Sequence, residues 1–113
     1  MLMEPVTICA ANGYNEKYYF NPAFNKIPDS VKDELKIICV LFTEEVGGII
    51  SIGFDEEGEL LIKTDASEND FNYDEIASGL LVSKIRATRQ ELFESLNLFY
   101  RVVVLGEDIE TEE

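Results

Sequence analysis

Histidine is absent from this 113-residue chain, which makes its two thiols and 23 carboxylates the first side chains to weigh for chemistry. Without imidazole there is no histidine base, no Ser-His-Asp triad and no nitrogen ligand for a metal. Cys9 and Cys39 each sit inside an apolar run, Val6 to Ala10 and Ile37 to Leu41. Zinc needs about four Cys or His ligands, usually in close pairs, and two isolated thiols do not supply them. Their surroundings predict two reduced, buried, inert thiols acting as small hydrophobes. A disulfide between them is geometrically open, though no cysteine pattern supports it.

The carboxylates invite two further readings. Asp65, Ser67 and Asn69 have the alternate spacing of a calcium loop, but that loop needs Gly at its sixth position and Glu at its twelfth. Here those positions are Asp70 and Ile76. A solvated acidic loop before a helix is the better description. Asp33 with Glu34, Glu44 with Glu45, and Asp55 to Glu57 are paired acids, yet general acid–base work needs one member buried and shifted. These lie in turns or on helix surfaces. No nucleophile elbow, phosphate-binding glycine loop or dinucleotide fingerprint is present. We therefore assign no catalytic residue, metal ligand or cofactor, and expect no enzyme.

Charge narrows the partners. Nine cations against 23 acids give a net charge of −14 and a pI near 4.2. Nucleic acid and anionic membranes require clustered cations, so neither is expected as a partner. The first residues lack the basic and apolar regions of a signal peptide. The longest apolar run, Ile37 to Phe42, falls far short of the roughly 20 residues that span a bilayer. The expected location is cytoplasmic.

The elements that carry these residues follow from periodicity. Val6 to Ala11 and Lys17 to Phe20 predict a first hairpin, with Asn12-Gly13 as a positive-φ turn. Pro28-Asp29-Ser30 opens a helix, with Ser30 and Asp33 resembling a capping box; Val31, Leu35, Ile38 and Phe42 form its apolar line, and Gly47-Gly48 ends it. Ile50, Ile52 and Phe54, then Leu60, Ile62 and Thr64, alternate as a second hairpin around Asp55 to Gly58. Asn72 or Tyr73 should precede a last helix. From Asp74 to Leu105 no proline intervenes, and Ile76, Leu80, Leu81, Ile85, Leu92, Leu96, Phe99 and Val103 recur at helical spacing. One helix of nearly 30 residues is expected, with Gly79 and Val102 to Val104 as its weak points; a final strand over the valine run is the alternative. The fold class is α+β, order ββαββα: a four-stranded sheet from two antiparallel hairpins, covered by two helices, the C-terminal one long. Residues 1–106 form the single domain and 107–113 an acidic disordered tail.

Charge is segregated along that order. Residues 55–75 hold nine acids and one lysine, whereas 76–106 hold Lys84, Arg86, Arg89 and Arg101 against two glutamates. None of those four cations has an acid three or four places away on its own helix. Lys84, Arg86 and Arg89 are thus candidate partner contacts, paired either with the 55–75 segment or with another chain. Tyr18, Tyr19 and Phe20, with Tyr14 and Phe24 nearby, are too many aromatics for a short hairpin to hide on one face, and form a second candidate contact. Ile85, Leu92 and Phe99 recur every seven residues on a helix expected to outrun the sheet, which predicts a homodimer through that helix.

Lys17 to Pro22, Val31 to Lys36, Val46-Gly47-Gly48 and Val104 to Glu107 together resemble a family of small, acidic, uncharacterised bacterial proteins. The resemblance spans nearly the whole chain, and that family has no assigned activity to carry over. What the sequence supports is a small acidic domain whose specific function is unknown. Its leading reading is a non-catalytic adaptor or regulatory domain that docks a protein partner. An acidic mimic that occupies a basic surface, or a small-molecule binder, are the alternatives.

Overall fold

The computed structural model describes residues 4–104. Strands β1 (Val6–Asn12) and β2 (Lys17–Phe20) form the first hairpin, a 3-10 turn covers Pro22–Phe24, and helix α1 follows over Asp29–Glu45. Strands β3 (Ile49–Phe54) and β4 (Leu60–Asp65) form the second hairpin. Helices α2 (Glu75–Thr88) and α3 (Gln90–Phe99) and a π-helical turn (Tyr100–Val104) complete the described chain. The four strands make one antiparallel sheet in the order β2-β1-β3-β4, so the α+β class holds.

Register divides the sheet into two faces. Phe20, Cys9, Ile52 and Ile62 share one row, and Tyr18, Ala11, Ile50 and Thr64 the next. This face packs against the helices, where Leu35, Ile38, Cys39 and Phe42 project from α1. Side chains on a strand alternate, so Tyr19, Ala10, Ser51 and Lys63 fall on the opposite face. One extra residue, Ile8, interrupts the β1–β3 register between Thr7 and Cys9, and its side chain is fully buried. Gly53 lies at the same place: a Cβ there would stand 2.1 Å from the Val6 carbonyl oxygen. The close approach that Gly53 permits is what lets the bulged strand pair at all.

Three local expectations are corrected. Gly13 is not the positive-φ residue of the first turn; Glu16 is, at φ 55°. Helix α1 has Pro28 at its N-cap with no side-chain cap, so Ser30 and Asp33 form no capping box; the Pro28 carbonyl instead accepts from Val31 and Lys32. Asp74, rather than Asn72 or Tyr73, caps α2, accepting from the backbone N–H of Ile76 and Ala77. Gly47 and Gly48 do end α1, at φ 88° and 74°.

The single long C-terminal helix is the main correction. It breaks at Arg89, whose φ of −118° and ψ of 28° leave the helical region, so three helices cover the sheet instead of two. Gly79, expected to be weak, lies within α2. Two contacts act at the break. The Thr88 hydroxyl donates back to the Lys84 carbonyl at 2.8 Å, a bond that bends helices. Arg89 itself is drawn into an ion pair with Glu34 of α1. The turned chain brings Tyr100 flat against Phe54, centroids 4.0 Å apart, with Phe24 on the same cluster. The end of the domain at 105–106 and the acidic tail 107–113 lie outside the described residues.

Candidate functional site

The thiols occupy the core where β1 meets α1. Cys9 and Cys39 are both free and fully buried, with their Sγ atoms 3.8 Å apart. The contact with Cys9 and burial hold the Cys39 thiol protonated, well above the ordinary range. Desolvation, reinforced by Cys9, likewise raises the Tyr18 phenol, whose buried oxygen has no hydrogen-bond partner among the described residues. Such groups are poor nucleophiles at neutral pH. The acidic loop is also internally occupied. Asp70 accepts from the Tyr14 hydroxyl at 2.7 Å, which in turn accepts from the Ser67 N–H, and Asp65 accepts from the Ala66 N–H. No cluster of three acids or cysteines among the described residues is arranged to hold a metal ion. Among those residues no helix is long and apolar enough to cross a membrane.

The six candidate contact residues do not form one surface. Strand alternation sends Tyr19 to the open sheet face, half exposed, and turns Tyr18 and Phe20 toward the helices. Two lysines of α1 then cover those rings: Lys36 lies 5.8 Å from the Tyr18 centroid and Lys32 5.6 Å from that of Phe20. Arg89 is committed to Glu34. None of Lys84, Arg86 and Arg89 pairs with residues 55–75 among the described residues; Arg101 does instead, donating to Glu59 at 3.0 Å. Lys84 and Arg86 are exposed and make no ion pair among the described residues.

A cleft of about 500 Å³ lies between α3 and the edge of β4, lined by Arg86, Phe93, Asn97 and Arg101 among others. Most of its polar groups are spent on one another: Arg101 on Glu59, Gln90 on Glu94, and Asn97 on the β4 backbone. Few remain to orient a ligand.

The outward side of α2 has no such partners. Ile85 is buried, and Leu92 and Phe99 pack against the core, so the side chains expected to form a dimer face are already used. Ile76 and Leu80, expected to face inward with them, are instead 77% and 68% exposed. With Gly79, Ser83 and Ala87, also exposed, they make a helical stripe that carries no charge. Phe71, just ahead of the helix, is 91% exposed. Helix α2 is therefore apolar on both sides, a pattern that calls for cover on both. The signal was present in the sequence, because only Glu75, Lys84 and Arg86 are charged between 75 and 88.

Residues 5–108 match a family of unknown function, DUF6145. No curated protein and no solved structure matches the chain.

Proposed function

The chain belongs to that family of unknown function, and we propose from its own surface that it is a non-catalytic, cytoplasmic protein-interaction domain that docks through the outer face of α2. One observation carries the reading: Ile76 and Leu80 stand in water on a charge-free helical stripe while the opposite side of the same helix fills the core. Scattered exposed apolar residues are ordinary, but aligned ones on one helix are the usual anchors of helix-mediated recognition. The full burial of both thiols and the self-satisfied acidic loop support a role without chemistry.

Immobilised native chain and a Leu80→Glu variant test this against the acidic-mimic alternative. We expect native chain to retain a protein partner and the variant to lose it, with the melting temperature unchanged. Equal retention by both would overturn the reading. Retention that vanishes with salt yet ignores Leu80→Glu would point to the acidic surface instead.

A further inference from the structure

We infer that the partner of the α2 face is a second copy of this chain, docked antiparallel with the two-fold axis between Leu80 and Leu81. This inference rests on the docking reading above and adds the occupant and its register. The argument is one of charge and size. Glu75 and Arg86 are eleven positions apart, about three turns, so they lie on one flank of the helix, beside the apolar stripe. In an antiparallel pair related by a two-fold axis, each flank meets the same flank of the partner with the direction reversed. An axis between Leu80 and Leu81 then sets Arg86 across from the second copy's Glu75, and Glu75 across from the second copy's Arg86. Both are exposed, and neither makes an ion pair among the described residues.

The same axis solves the packing. At 1.5 Å per residue, Ile76 falls level with a point between Ser83 and Ala87 of the other copy, so a large side chain enters a gap flanked by small ones. The two Leu80 side chains meet near the axis, where Gly79 leaves space: a Cβ at that glycine would touch nothing within 4 Å. A parallel pair would instead set this flank against the opposite flank of the second copy, where Arg86 meets Lys84 and Glu75 meets no cation, which the charges oppose.

A pair of short helices covers less than a standard interface, so the dissociation constant expected is about 10–100 µM. Sedimentation equilibrium of the full chain from about 10 to 500 µM reads it directly. Native chain should move from monomer to dimer over that range, and Leu80→Glu should stay monomeric. Arg86→Glu and Glu75→Arg should each weaken the dimer about tenfold. The double variant Glu75→Arg/Arg86→Glu should recover to within about threefold of native, a rescue that no other surface or register predicts. A native chain that is monomeric throughout, a dimer indifferent to Leu80→Glu, or a double variant no better than the singles would each overturn the inference. If native chain is monomeric but Leu80→Glu still abolishes capture of a different protein, self-pairing fails and the docking reading stands. If neither occurs, both fall.

Discussion

The side chain of Asn97 holds the backbone of Leu60 at the open edge of the sheet: the Leu60 N–H donates to the Asn97 Oδ1 at 2.9 Å. The Asn97 Nδ2 donates to the Gly58 carbonyl at 3.2 Å, so one amide from α3 replaces a neighbouring strand where β4 begins. Edges of this kind attract other chains unless something satisfies them. Asn97→Ala removes both bonds and strands the Leu60 N–H. Urea denaturation should show a loss of about 1–3 kcal/mol. Leu98→Ala, on the exposed side of the same turn, should change stability by no more than about 0.5 kcal/mol.

The Arg89–Glu34 pair ties the break between α2 and α3 to α1, across 55 positions of sequence. Both side chains remain more than a third exposed, so solvent screens the attraction and its coupling energy should be about 0–1 kcal/mol. A double-mutant cycle with Arg89→Ala and Glu34→Ala measures that coupling. Arg89→Glu should cost more than Arg89→Ala, because it sets two carboxylates against each other. For that reason dimer formation is better probed at Arg86.

Alkali should unfold the protein for reasons that reside in the core. Burial raises the Tyr100 phenol above its ordinary value of 10.0, and burial with Cys9 raises Tyr18. A group whose folded pKa is raised stabilises fully below its unfolded pKa and loses that contribution as pH climbs through the folded one. The same contact raises the Cys39 thiol and lowers that of Cys9, so the pair sets no net slope near pH 9. The melting temperature should thus fall above about pH 10. The pair Tyr18→Phe and Tyr100→Phe should flatten that fall. At neutral pH Tyr18→Phe alone should be neutral or stabilising, because the hydroxyl it removes is buried without a partner.

Net charge sets the opposite condition. With −14 charges on a small fold, self-repulsion is relieved by screening. The melting temperature at neutral pH should rise between very low salt and about 0.15 M. A flat or falling curve would contradict this.

How much of this was legible in the sequence depends on the range of the forces involved. The second hairpin was, because Ile50, Ile52 and Phe54 alternate and then Leu60 and Ile62 answer them. Helix α1 was legible in its apolar line, though its cap was not. The break at Arg89 was invisible because neither glycine nor proline marks it; it takes a hydroxyl one residue before and a carboxylate on another helix. The role of Asn97 carried no local signal, since its partners lie 37 and 39 positions away. On the candidate face, Ile76 and Ile85 are nine positions apart and so on opposite sides of one helix, a signal the sequence carried; tertiary packing adds that the Ile85 side is the buried one.

The bulge at Ile8 has a consequence for descent. Because the Val6 carbonyl occupies the volume a side chain at Gly53 would need, no substitution there can persist while the extra residue of β1 remains. Equally, deleting that residue would withdraw the reason for glycine. The two positions, 45 apart in sequence, thus form one heritable unit. Lineages of this domain should keep both or lose both, and a chimera that crosses two such lineages between β1 and β3 should fail to fold even when each parent is stable.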